Sequence, residues 1–258
     1  MPIAADDPRL THAYEAASTR YTDVPFQRAG ASGIQLPKVS LGLWQNFGRD
    51  RSFDSQREIV LHAFDRGVVH IDLANNYGPP YGSAESTFGA VLDSGLGRYR
   101  DELFVTTKAG YDMWPGPFGD GGSRKYLTRS LEQSLQRMNT DYVDVFYSHR
   151  PDSETPLEET VTALVDIVRS GKALYVGISN YPADLARQAY ELLADQGMKL
   201  LLHQPRYSLF DRTPEAELFP ALRGLKVGSA VFSPLAQGLL TGNCLLYTSD
   251  AADEGLGV

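Results

Sequence analysis

From Lys38 onward, short apolar runs alternate with segments of helical spacing, and this alternation admits only a few folds. The runs, rich in Val, Ile and Leu, are Val39–Leu43, Val68–Leu73, Leu103–Thr107, Val143–Ser148, Ala173–Ile178, Lys199–His203 and Gly228–Phe232. Between them, Ile59, Val60, Ala63 and Phe64 share one helical face, and Gly67 suits the position just past a helix end. A further helix starts at Ser123 and carries Leu127, Leu131, Leu135 and Met138 down one stripe. Thr155-Pro156-Leu157-Glu158 reads as a capping box with Pro at the first helical position, opening a helix that ends before Gly171. Leu185, Ala189, Leu192 and Leu193 repeat the pattern up to Gly197, and a shorter helix is expected near Thr213-Pro214. Strands buried on both faces and alternating with helices indicate a parallel sheet whose faces are covered.

Such a sheet is either open and doubly wound or closed into a barrel. An open sheet that binds a dinucleotide normally shows Gly-x-Gly-x-x-Gly after its first strand, and that spacing is missing here. Gly119-Asp120-Gly121-Gly122-Ser123 precedes a helix but lacks the Gly-Lys-Ser/Thr ending of a phosphate loop. It reads as a loop with a helix N-cap, a direct anion site being the alternative. Residues before Lys38 form a polar extension with a small hairpin expected around Phe26–Leu36.

Charge and cysteine content remove several classes of function. The net charge is −8, and basic stretches such as Arg98–Arg100 are too short for a nucleic-acid footprint. Cys244 is the only cysteine, so neither a disulfide framework nor a cysteine metal site is available, and no metal is expected. No run approaches the ~18 apolar residues of a membrane span, and Met1–Leu10 has no apolar leader core. The expected setting is therefore soluble, reducing and cytoplasmic, with neither nucleic acid nor membrane as partner.

The chemistry lies at the ends of these runs. Asp72 ends the second run, Lys108 the third, His149 the fourth, Ser179-Asn180 the fifth, Gln204 the sixth and Ser233 the seventh. One polar strand end is ordinarily a solvated or capping residue. Six in register, with Asp, Lys and His among them, suit a (β/α)8 barrel, where all these ends converge on the face that holds the active site. Tyr77 lies five residues past Asp72, in the loop beyond it. These four residue types suit reduction of a carbonyl, in which negative charge develops on oxygen and must be stabilised and protonated. A tyrosine can give the proton, a nearby lysine would lower its pKa, an aspartate would hold the lysine, and a histidine would orient the carbonyl oxygen.

The motifs Leu41-Gly-Leu-Trp44, Asp72-Leu-Ala-Asn-Asn-Tyr77-Gly78, Thr107-Lys108, Tyr147-Ser-His149-Arg150, Gly177-Ile-Ser-Asn180 and Ser233-Pro-Leu-Ala-Gln-Gly-Leu-Leu-Thr-Gly242 resemble the aldo-keto reductase superfamily from about Tyr21 to Gly242. Ala74–Pro80 and Lys108–Pro117 resemble its bacterial L-glyceraldehyde 3-phosphate reductase branch, which is close to the voltage-gated potassium channel β-subunits. The resemblance implies an NADPH-dependent reductase of small aldehydes and ketones, of the glyceraldehyde phosphate or methylglyoxal type. It implies Tyr77 as proton donor, with Asp72, Lys108 and His149 completing a catalytic tetrad. Ser179, Asn180 and Gln204 would hold the nicotinamide carboxamide and Tyr207 would stack on its ring, with Trp44 and Asp72 beside it. Ser233, Pro234, Leu235 and Gly238 would follow the pyrophosphate. Trp44, Met113 and Trp114 would line the substrate mouth, or pack in the core. Arg150 would meet a substrate phosphate, or pair with an acid such as Asp152.

Residues 38–242 therefore read as strands one to seven of an incomplete barrel, preceded by the 1–37 extension. The family continues past Gly242 with an eighth strand and helix. Here residues 243–258 depart from that pattern and read as a foreign tail, so the expectation is a poorly stable, weakly active chain. The alternatives to an enzyme are a cofactor-binding regulatory subunit, as in the channel proteins, and an inactive fragment. Assembly of the chain with itself is left open.

Overall fold

The computed structural model describes residues 14–241. The 243–258 tail, where the sequence reading expects the family's eighth strand and helix to be missing, lies outside the described residues, as do residues 1–13 of the extension. An antiparallel hairpin comes first, β1 (Phe26–Arg28) and β2 (Gln35–Pro37), with Gln27 opposite Leu36. Then come β3 (Leu41–Gly42), α1 (Phe53–Asp65), β4 (His70–Asp72), α2 (Ser83–Asp93), β5 (Phe104–Ala109), α3 (Arg124–Met138), β6 (Val143–Ser148), α4 (Leu157–Arg169), β7 (Ala173–Ser179), α5 (Ala183–Asp195), β8 (Leu200–Gln204), α6 (Leu218–Leu225) and β9 (Gly228–Ser229). Strands β3 to β9 form one 7-stranded parallel sheet in sequence order, curled as an incomplete (β/α)8 barrel.

Every residue of β5, β6 and β8 is buried, which is why these strands read as unbroken apolar runs rather than as alternating ones. The outer strands are shorter than their runs. β3 keeps two residues of Val39–Leu43, and β9 keeps two of Gly228–Phe232, continued by a lone bridge between Arg206 and Phe232. Among the described residues both lie at the ends of the sheet with one neighbour each, so fewer ladder bonds hold them extended.

Each helix lays an apolar face on the sheet. Val161, Leu164, Val165 and Ile167 of α4 are buried, as are Leu127, Leu131, Leu135 and Met138 of α3. Ser123 caps α3 by accepting from the Tyr126 amide at 3.3 Å, and Asn139 ends it in the left-handed region with φ 50°. Two sequence expectations change. The capping box at Thr155 does not form: α4 starts at Leu157 with Pro156 as its cap, because the Thr155 hydroxyl donates instead to Asp152 at 2.6 Å. Helix α2, with Ala84, Phe88, Val91 and Leu92 buried, occupies a stretch where the sequence reading places no helix.

The hairpin lies against the N-terminal end of the curled sheet. Its tip touches the turn before β9, where the Ala31 amide donates to the Lys226 carbonyl at 2.9 Å. Gly30, at φ 54°, lies so close to that carbonyl that a Cβ would collide with it.

Candidate active site

Parallel register brings the strand ends together. Asp72 is the last residue of β4 and pairs with Thr106 of β5; Lys108 pairs with Tyr147 of β6, and Ser179 with Gln204. Side chains two apart on a strand share a face, so Thr106 and Lys108 both point at Asp72, while Thr107 points outward and donates to Glu85 of α2. His149 directly succeeds β6, where its amide continues the ladder to the Ala109 carbonyl. Tyr77 sits in the loop after β4, its carbonyl accepting from the amides of Gly82 and Ala84 at the start of α2.

The centre is a buried ion pair. Lys108 Nζ donates to Asp72 Oδ2 at 2.6 Å, to the Leu73 carbonyl at 2.8 Å and to Tyr77 Oη at 3.4 Å, which uses all three of its protons. Asp72 Oδ1 accepts from Thr106 Oγ1 at 2.7 Å and from Gln204 Nε2 at 3.0 Å. Burial works against the charge on both members. The attraction of Lys108 and the hydrogen bonds outweigh it and lower the Asp72 pKa, and Asp72 and Tyr77 raise that of Lys108. Both groups are therefore charged at neutral pH.

Tyr77 corrects one expectation. Burial raises its phenol above the ordinary 10.0, and the Lys108 charge offsets that only in part. The phenol is thus held protonated rather than shifted toward phenolate. The His149 ring stands edge-on to Tyr77 with centroids 5.9 Å apart, and burial, together with the Lys108 charge, lowers its pKa to about 3. A neutral imidazole results, with a buried Nδ1 that has no protein partner. Tyr111, a residue the sequence reading does not include, closes the other side of this ring at 4.7 Å, edge-on.

A cleft of about 2040 Å³ opens on the pair. Of the expected cofactor residues, Trp44, Asp72, Gln204, Ser233, Pro234 and Leu235 line it together with Tyr77. Ser179, Asn180 and Tyr207 are turned to other partners. The Ser179 hydroxyl donates to the Gln204 carbonyl, Asn180 Nδ2 donates to the His149 carbonyl, and the Tyr207 hydroxyl donates to Glu215 at 2.5 Å. Gly238 lies past the cleft in a short 3-10 turn, Ala236–Gly238. Around it, Ser233, Ala236 and Gln237 have φ of 55°, 49° and 57°, and Leu235 immediately before Ala236 is right-handed. The amides of Ala236, Gly238, Leu239 and Leu240 donate to carbonyls within the turn and so hold its shape. The cleft follows the open side of the sheet between β3 and β9, from the hairpin residues Gln27 and Ala31 past His70 and Gln204 to Tyr77 and this turn.

At the mouth, the exposed Trp44 ring lies 6.3 Å from Tyr77. Met113 and Trp114 are half-buried against the core, Trp114 tilted on Tyr126 at 5.1 Å, and neither lines the cleft. Arg150 pairs with an acid, and that acid is Asp120 rather than Asp152. Its Nη2 meets the two carboxylate oxygens at 2.8 and 2.9 Å, and its Nε donates to the Gly110 carbonyl. Asp152 instead accepts from the Gly122 amide and the Thr155 hydroxyl. Among the described residues there is no cluster of three or more His, Cys, Asp or Glu able to hold a metal ion, and no helix long and apolar enough to cross a membrane.

The profile of the Aldo/keto reductase family matches residues 38–249. The chain is 55% identical over 227 residues to L-glyceraldehyde 3-phosphate reductase of Escherichia coli strain K12, covering 88% of this chain and 66% of that protein. It is 35% identical over 223 residues to a probable voltage-gated potassium channel subunit beta of Arabidopsis thaliana, covering 84% of this chain and again 66% of the relative.

Proposed function

This chain belongs to the aldo/keto reductase family, and from that premise we propose NADPH-dependent reduction of small aldehydes and ketones, with Tyr77 as proton donor. The observation that carries the reading is the unbroken contact Asp72–Lys108–Tyr77, with a neutral His149 facing the same phenol. The chemistry NADPH supplies when bound is hydride donation to the carbonyl carbon. Tyr77 gives its proton to the oxygen, and the adjacent ammonium stabilises the phenolate left behind. Asp72 keeps Lys108 charged through this change. The His149 ring, uncharged at neutral pH, can donate one N–H to the carbonyl oxygen and fix its direction without competing as an acid. Gln204 and the Ser233–Leu235 turn would hold the cofactor; Gln204 Nε2 would exchange Asp72 for it, and Ser179 and Asn180 would turn toward it.

The substrate class is drawn from the closer relative's name and from Arg150. A phosphorylated three-carbon aldehyde would place its anion where Arg150 now holds the half-exposed Asp120 carboxylate. A cofactor-sensing subunit is the rival reading that the channel relatives suggest; the complete set of proton-handling contacts favours the enzyme. Oxidation of NADPH in the presence of glyceraldehyde 3-phosphate or methylglyoxal tests this. Turnover with either supports the reading. Quenching of NADPH fluorescence without turnover favours the sensing subunit, and the absence of both rejects the proposal.

A further inference from the structure

Below the Lys108–Asp72 pair, the interior of the sheet holds polar groups that the chemistry above leaves unused. Thr106 and His70 lie two residues before Lys108 and Asp72 on adjacent strands, and both are buried. Thr106 Oγ1 donates to Asp72 Oδ1 at 2.7 Å. His70 Nε2 lies 3.4 Å from Thr106 Oγ1, and its Nδ1 lies 2.7 Å from Ser40 Oγ. The carboxylate sets the direction of each bond. Asp72 can only accept, so the Thr106 proton is committed and its oxygen offers lone pairs alone to His70. Nε2 must then carry the ring proton, and Nδ1 accepts from Ser40. All three protons point the same way, from exposed Ser40 inward to Asp72. Burial lowers the His70 pKa to about 4, so the ring stays neutral and keeps this tautomer at ordinary pH. Phe104 packs edge-on against it at 5.4 Å and fixes its plane.

We propose that Thr106 and His70 are positioning residues that act through Asp72: their aligned hydrogen bonds hold the carboxylate ionised and aimed at Lys108, and so keep the ammonium beside Tyr77. Bonds aligned head to tail polarise one another, and the low-dielectric interior makes each one count for more than it would in water. The groups facing Asp72 are His70 on its own strand, Thr106 and Lys108 on β5, Tyr147 on β6, His149 just after β6, Gln204 on β8 and Tyr77 in the loop. Lys108 alone among them is charged at neutral pH. Two bonds reach Oδ1, from Thr106 at 2.7 Å and from Gln204 at 3.0 Å, each at the ordinary length for its donor. The consequence for catalysis rests on the reductase reading; the effect on Asp72 does not.

The test tracks the Asp72 carboxyl carbon and the His70 ring nitrogens by NMR in the full chain, across pH. In the unsubstituted protein, His70 should show the Nε2–H tautomer. Thr106→Val should raise the Asp72 midpoint by about one to two units, the worth of one hydrogen bond to a charged group. Thr106→Ser should restore it, and His70→Gln should give a smaller rise in the same direction. An unmoved Asp72 midpoint in Thr106→Val, or an Nδ1–H tautomer at His70, overturns the proposal. If the valine variant does not fold, the tautomer and the His70→Gln midpoint still decide it. A second arm records the pH profile of carbonyl reduction, where the acid limb of kcat should move with the Asp72 midpoint. Failure of the unsubstituted chain to reduce any carbonyl counts against the reductase reading alone, because the carboxyl titration stands without turnover.

Discussion

Replacing Lys108 by Met should destabilise the protein most at neutral pH and less in acid. The methionine fills nearly the same space, so little of the effect comes from a cavity. The variant loses the sole cation of a buried pair and three donated hydrogen bonds. Removing one member of such a pair typically costs ~3–5 kcal/mol, because the other charge stays buried. Asp72 keeps its bonds from Thr106 and Gln204, which points to the lower end. The orphaned Leu73 carbonyl adds back ~1–3 kcal/mol. A loss of about 4 kcal/mol is therefore expected from a total of ~5–15 kcal/mol. The sign with pH is fixed by Asp72. Its folded pKa now lies below the ordinary 3.8, so its contribution is present above that value and fades as pH falls through the lower folded one. Without Lys108, burial dominates and lifts the folded pKa above the unfolded value, so the variant gains relative stability as the carboxyl becomes protonated. Urea unfolding monitored by the fluorescence of Trp44 and Trp114 reads both effects. Asp72→Asn in the Lys108→Met background should recover much of the loss. A deficit under about 1 kcal/mol at neutral pH, or one that does not shrink in acid, would refute the account of a charge stranded in the interior.

Tyr77→Phe should lower carbonyl reduction by ~10²–10⁴-fold while NADPH affinity stays nearly unchanged, since the proton is needed only in the transition state; fluorescence titration beside steady-state rates separates the two. His70, His149 and His203 are buried neutral, with pKa values lowered from 6.5 to about 4, about 3 and about 4. Their contribution to stability is full above 6.5 and drains as pH falls through that value toward the folded ones, so urea midpoints should drop across this window. His203→Gln, which keeps a donor for the Tyr181 carbonyl, should flatten the slope. Gly177→Ala would drive a methyl into the fully buried Tyr147 ring and should cost ~1–3 kcal/mol, read as a fall in Tm.

Much of the fold is legible in the sequence because the central strands are covered on both sides. A strand with no solvent face has no polar alternation to blur it, and β6 matches its run, Val143–Ser148, to the residue. The meeting of Asp72, Lys108 and His149 is legible because several polar residues end such runs in register, which one alone would not signify. Helix α2 is harder to see. Its stripe is diluted by Ser83 and Gly89, and Glu85 looks like a solvent-facing acid until Arg137 of α3 is seen to neutralise it at 2.7 Å in the interior. The same obstacle hides Asp120 as the partner of Arg150, and Thr106 and His70 as supports for Asp72. Each depends on a residue distant in sequence, and no local pattern announces such a pairing. The Tyr77 phenol shows the limit of reasoning from pairs: a nearby cation lowers a pKa only when burial does not outweigh it.

The grip of the hairpin tip on the Lys226 turn has a consequence for the order in which the molecule assembles. The two groups are separated by roughly two hundred residues of chain, yet both stand at the same end of the curled sheet. Their hydrogen bond closes a loop of that length, so it is expected to form late, as contacts between remote segments do. The hairpin itself needs only its own local turn and can form early. Alone it is marginal, and docking against the turn before β9 completes it. In reverse, this contact is the natural first point of partial opening, releasing β9 and α6 while the strands around Asp72 and Lys108 stay paired.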